Sequence, residues 1–215
     1  MEQIIRLANR AQDLIELVKK IDFLGPLAIR LYLAPIFISA GLHKYMHFED
    51  IVGWFEHGLN MPLPRVMAGL ATATELLGGI ILIFGIATRW ISIPLLVTMF
   101  VAASTAHWEN GWFAIAPSNP ETSTAYVLEK VGFPGAKESL ENSVEVGNRL
   151  SRAKDILREH GNYSWLTGRG GIVVLNNGIE FAATYFVMLL VLLGFGGGRF
   201  VSVDYYIHKR FRDHQ

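Results

Sequence analysis

VMAGLATATELLGGIILIFGI, residues 66–86, decides how this chain folds, because Glu75 is its only charged side chain. A helix crosses a bilayer in about 20 predominantly apolar residues. Working outward, three more stretches have the same character: Leu24 to Leu42, Trp90 to Ala106, and Gly171 to Phe195. Charged residues make up 18% of the 215 positions and are concentrated between these stretches. That leaves too little polar sequence to wrap four buried helices in water. The expected fold is an all-α, integral membrane bundle of four transmembrane helices.

The segments between the spans set the organisation. Residues 1–23 place Ile4, Leu7, Ala11, Leu14, Ile15 and Val18 at intervals of three or four, the pattern of an amphipathic helix lying on a membrane surface. They do not read as a cleavable signal peptide. Residues 24–106 hold spans one to three. Residues 107–170 form a polar insertion. It is loop-like around Pro117, Pro120 and Pro134, then helical along Leu140, Val144, Leu150, Ala153 and Leu157. Residues 171–196 form the fourth span, and 197–215 a basic tail. Lys19, Lys20, Arg89, Arg199, Lys209, Arg210 and Arg212 flank one face of the bundle, and only Lys44 and Arg65 flank the other in a short loop. The excess of Lys and Arg places both termini in the cytoplasm.

Composition excludes several classes of function. There is no cysteine, hence no disulfide, thiolate metal site or cysteine nucleophile. A net charge of zero gives no electrostatic footprint for nucleic acid. No glycine-rich phosphate loop or nucleophilic triad is visible.

The candidate site follows from the charges inside the spans. Arg30, Glu75 and Glu180 are costly in hydrocarbon, so they are expected to turn inward and meet. Each shares a helical stripe with small residues, as Glu75 does with Ala68, Thr72, Gly78 and Gly79, and Glu180 with Asn176, Asn177 and Thr184. Arg30 offsets one carboxylate. The other needs Lys44, His107 or a proton, so one acid is expected to be protonated at rest and to exchange that proton. A plain structural ion pair with amide hydrogen bonds fits the same residues. Lys44, Arg89, His107, Asn176 and Asn177 complete the expected ligand-binding set. His43 and His47, four apart, form with His107 and Glu109 a weak candidate metal site. Interfacial histidines of an aromatic belt with Tyr45, Trp54, Trp108 and Trp112 are the favoured explanation of the same residues.

Arg30, then Gly41-Leu-His-Lys44, Glu75-Leu-Leu-Gly78-Gly79, Gly85-Ile-Ala-Thr88-Arg89 and His107-Trp-Glu-Asn-Gly111 together resemble the DoxX family. The resemblance implies a four-helix protein of the bacterial inner membrane. The family is named for a subunit linked to a terminal oxidase and to thiosulfate:quinone oxidoreductase, and other members are associated with redox or detoxification systems. The insertion from about Trp112 to Leu166 departs from the shorter members.

Three functions compete. One is a subunit of a redox system that binds quinone, with Arg30, Glu75, Glu180 and His107 as polar groups and a partner as electron donor. A second is a small-ligand or proton-coupled transporter, which four helices would form only as a homo-oligomer. The third is a non-catalytic scaffold docking a protein partner through the insertion.

Overall fold

In a computed structural model of the chain, residues 12, 16, 19–132 and 135–211 are described. The amphipathic helix expected over 1–23 lies mostly outside them; Gln12 and Glu16, both helical, and a 3-10 turn, Lys19–Ile21, fall inside. The described elements are α1 (Leu24–Met46), α2 (Phe48–Gly53), α3 (Pro64–Phe84), α4 (Thr88–Val101), α5 (Thr124–Lys130), α6 (Ala136–His160), α7 (Tyr163–Leu166), α8 (Glu180–Phe195) and α9 (Val203–Phe211). No β-strand occurs among these residues, only an isolated antiparallel bridge from Ile115 to Leu175. The chain packs as two compact units, Met1–Phe100 with Thr184–Gln215, and Val101–Ala183.

Helix ends in the first unit follow from local chemistry. Pro64 opens α3, where a missing N–H costs nothing. Gly85 closes α3 in the left-handed region at φ 64°, returning its N–H to Ile81 and Leu82. A side chain avoids that conformation, and glycine does not. The start of α4 is capped from far away, since Asp204 accepts from Ala87 N and Thr88 N at 2.6 and 2.8 Å. These are orphan donors that a helix start must otherwise leave to water.

The core of this unit brings together Leu33, Ala34 and Phe37 of α1, Leu82 of α3, Leu95 and Met99 of α4, and Leu189 and Leu192 of α8. Helices α1 and α3 approach closely through glycine. A Cβ built on Gly41 would lie 2.6 Å from Leu76 N, and one on Gly79 would lie 2.8 Å from Ala34 O. Without a hydrophobic drive between helices in lipid, such small-residue contacts carry the packing.

Three helical stretches are long and apolar enough to cross a membrane: Lys19–Met46, Pro64–Phe84 and Thr88–Ala106. Protein buries only 28%, 33% and 22% of their apolar windows, which leaves most of their surface for lipid. Leu31, Leu70, Leu77, Trp90, Val97 and Phe100 all point outward, each more than half exposed. Such apolar area requires a bilayer. The protein is therefore all-helical and multi-pass.

The fourth span expected over 171–196 is shorter in the structure. α8 begins at Glu180 and has 16 residues, roughly 24 Å of helix. Residues 171–179 are not helical. Asn177 sits at φ 57°, and the amides of Asn176, Asn177 and Gly178 pair with Ala114 and Phe113 carbonyls instead of continuing a helix. Asparagine readily competes for backbone groups and accepts left-handed φ, which the apolar count of this segment concealed.

In the second unit, α6 lays Ala136, Ser143, Val146 and Leu150 against its neighbours, and Gly147 packs onto Ser118 O. The buried face is shifted from the expected stripe: Val144 is half exposed.

Replacing Gly79 by Val should separate α1 from α3, because a Cβ there already meets Ile38 Cγ1 at 2.7 Å and the backbone atoms Ala34 O and Ile38 N at 2.8 and 2.9 Å. Overpacking of this kind costs about 2 kcal/mol. Thermal unfolding in detergent should show a lower midpoint for Gly79→Val, while Gly53→Ala, where a Cβ meets nothing within 4 Å, should change it little.

Candidate functional site

Lys44 and Glu75 form a partly buried ion pair in the first unit. Lys44 Nζ donates to Glu75 Oε2 at 2.5 Å, with side-chain exposures of 20% and 5%. The pairing depends on the glycine contact. Gly41 stands one turn before Lys44 and seats α1 on Leu76, next to Glu75. Thr72, one turn earlier on α3, spends its hydroxyl on Ala68 O at 2.7 Å. Beside the pair, His43 and His47 stack at 4.6 Å, and His47 Nδ1 meets His43 O at 3.1 Å.

Arg30 does not join Glu75. Its Nη1 donates to Leu82 O and Ile83 O at 2.9 and 3.2 Å, and Nη2 to Val201 O at 2.9 Å. These first two acceptors belong to the last turn of α3, where the helix dipole is negative and carbonyls have unused acceptor capacity, Leu82 O also taking the capping N–H of Gly85. Arg30 is completely buried, and its Nε has no hydrogen-bond partner. Lys44 lies two-thirds of α1 further on, roughly 21 Å along the axis at 1.5 Å per residue. Arg30 and Glu75 thus serve opposite ends of the unit, and the expected Arg30–Glu75 pairing is replaced by Lys44–Glu75. Arg30 instead ties α1 to the α3–α4 turn and to the segment after α8. Gly85 is held so close to Arg30 Nη1 and Ser202 that any side chain there would collide with them. Arg89 lies at the same turn, against Gly196.

The remaining expected residues gather in the second unit. His107 Nδ1 meets Asn177 O at 2.8 Å, and Asn110 Nδ2 donates to the same carbonyl at 3.2 Å. Asn176 Nδ2 donates to Asn110 O and Phe113 O at 2.5 and 2.9 Å. Glu180, in the first turn of α8, accepts from Ala114 N at 2.9 Å. Together they clamp residues 107–116 to 174–180 by satisfying backbone groups. Among the described residues, no three His, Asp or Glu side chains are grouped as metal ligands. His43, His47, His107 and Glu109 are therefore not assembled into such a set.

Sequence reasoning overlooked Asp204. It sits in a basic tail, and neither periodicity nor spacing links it to Ala87. It also missed the role of Leu82, Ile83 and Val201 as Arg30 partners, since carbonyl acceptors leave no mark in side-chain patterns.

A DoxX family model matches residues 25–108. Over 82 residues the chain is 33% identical to a protein of Bacillus subtilis (strain 168) described as "Putative oxidoreductase CatD". The match covers 38% of this chain and 59% of that protein, so the chain spans less than two thirds of its relative's length. No solved structure matches the chain. The matched segment contains Arg30, Lys44, Glu75, Arg89 and His107, and excludes Asn176, Asn177 and Glu180.

Removing either partner of the Lys44–Glu75 pair leaves a charge stranded in a low-dielectric site. Lys44→Met or Glu75→Leu alone should destabilise the bundle by about 3 kcal/mol, whereas the double variant should recover most of that loss. Unfolding of the four proteins in one detergent measures the coupling.

Proposed function

We propose, from the match of residues 25–108 to a DoxX family model, that this membrane protein is a quinone-linked redox subunit whose polar site is Lys44 and Glu75. The observation that carries the reading is an ammonium–carboxylate pair at 2.5 Å within two membrane-spanning helices. A charge pair is expensive there and marks a site more often than it stabilises a fold. The relative's description as an oxidoreductase supports the same class of chemistry.

The donor set suits a quinone. Lys44 Nζ carries N–H donors beyond the one given to Glu75, and it remains one-fifth exposed, so a ligand carbonyl can approach it. When bound, a quinone accepts two electrons and two protons. Lys44 orients the ring oxygen by hydrogen bonding. The Lys44–Glu75 pair holds an exchangeable proton beside it, which is the general-acid role such a pair can perform. Electrons come from a partner protein. The exposed side of the 107–170 insertion is its docking surface in this reading.

The protein resides in the bacterial inner membrane in this proposal, with both ends of the chain in the cytoplasm. The concentration of Lys19, Lys20, Arg89, Arg199, Lys209 and Arg210 near one set of span ends supports that orientation. So does the Arg199–Asp22 ion pair at 2.8 Å, which holds the beginning of α1 beside the segment after α8. Lys44 and Glu75 then face the outer half of the bilayer.

Binding of a short-chain menaquinone analogue to purified protein, followed by quenching of intrinsic tryptophan fluorescence, tests the proposal. Glu75→Gln keeps the shape and removes the exchangeable proton, and should weaken binding about tenfold. Lys44→Met should weaken it further. Unchanged affinity in both variants, with folding intact, rules the reading out.

A further inference from the structure

A cleft of about 320 Å³ opens in the first unit where α1 begins and α8 ends. That volume lies at the lower end of the roughly 300–1,000 Å³ range of ligand sites. Its walls are apolar: Phe23, Pro26 and Ile29 on one side, Val191 and Phe195 on the other. Its mouth is charged, with Asp22 and Arg199. Arg199 Nε and Nη2 donate to Asp22 Oδ1 at 3.0 and 2.8 Å, and Nη2 also reaches Lys19 O at 3.1 Å. Those bonds leave Nη1 for another acceptor. Lys19 and Lys20 lie exposed in the turn immediately before the cleft.

The surroundings identify the occupant. α1 spans the membrane, so the walls of the cleft stand in hydrocarbon. Exposed charges cannot follow them to that depth, which puts the mouth at the headgroup layer. Among the described residues around it are three cations, Lys19, Lys20 and Arg199, and two acids, Asp22 and Glu16, the latter paired with Lys19 at 2.9 Å. The balance is positive, and basic residues beside a membrane surface attract anionic lipid.

We propose that this cleft is a binding site for an anionic phospholipid of the adjoining leaflet, with one acyl chain between Ile29 and Val191 and its phosphate on Arg199 Nη1. The site lies at the opposite end of α1 from Lys44 and does not rest on quinone chemistry. The lipid seals the seam between α1 and α8 where protein alone leaves it open.

Gly25 provides a clean test. It lines the cleft, and a Cβ built on it meets nothing within 4 Å, so Gly25→Leu fills the space without displacing backbone. Gly194, on α8 but outside the cleft lining, also has open space and serves as the control as Gly194→Leu. The protein is reconstituted in nanodiscs of equal phosphatidylglycerol and phosphatidylcholine with identical acyl chains, released, and its retained lipids counted by native mass spectrometry. Phosphatidylglycerol should be retained about tenfold over phosphatidylcholine by the unaltered protein and by Gly194→Leu. Gly25→Leu should lose the retained lipid, and Arg199→Gln should bring the two lipids to parity. Equal retention of both lipids by the unaltered protein, or full retention by Gly25→Leu, overturns the proposal.

Discussion

The first unit depends on how closely two helices approach at glycine. In lipid, apolar side chains gain nothing by leaving hydrocarbon for one another, so packing and internal polar bonds must hold the helices together. Gly41 and Gly79 bring α1 onto α3 at backbone contact. Only at that separation does the Lys44 ammonium reach the Glu75 carboxylate, and only a bonded carboxylate is tolerable where Glu75 stands. Helix contact and ion pair therefore sustain each other. The lipid-facing surfaces of Leu70, Leu77 and Val97 add solvation but no specificity.

Charge in this protein is handled in two ways. Glu75 is neutralised by another side chain. Arg30 is surrounded by carbonyls, which are available because α3 ends there and its last turn has acceptors to spare. The difference matters for chemistry. An Arg held by peptide carbonyls is permanently charged and fixed, and suits an anchor. The Lys44–Glu75 pair keeps a partly exposed ammonium donor. The DoxX-matched segment contains both, one toward each end of α1.

Much of the fold was legible from residues 24–106, because hydrocarbon imposes a requirement, long and almost uncharged helices, that composition reveals directly. Glu75 was legible as a candidate for the same reason, and Lys44 as one of the groups that could offset its charge. The partner of Arg30 was not. Counting side-chain charges pairs Arg with Glu, while the structure pairs it with the carbonyls of Leu82, Ile83 and Val201, groups that every residue carries. The start of α8 was misplaced because Gly171–Ile179 is apolar enough to extend a span, and the hydrogen-bonding preferences of Asn176 and Asn177 override that average. The convergence of His107, Asn110, Asn176 and Glu180 required knowing that two segments 60 to 70 positions apart run side by side, which no local pattern encodes.

The Asp204 cap has a consequence for biosynthesis. Ala87 and Thr88 emerge from the ribosome 116 positions or more before the carboxylate that satisfies them. At 5–20 residues per second, roughly ten seconds separate the two events. Throughout that interval the α3–α4 hairpin sits in the membrane with its turn amides unmatched and Arg30 short of its Val201 acceptor. The hairpin must therefore wait near interfacial water, or against the insertion machinery, until Asp204, in the first turn of α9, latches it shut.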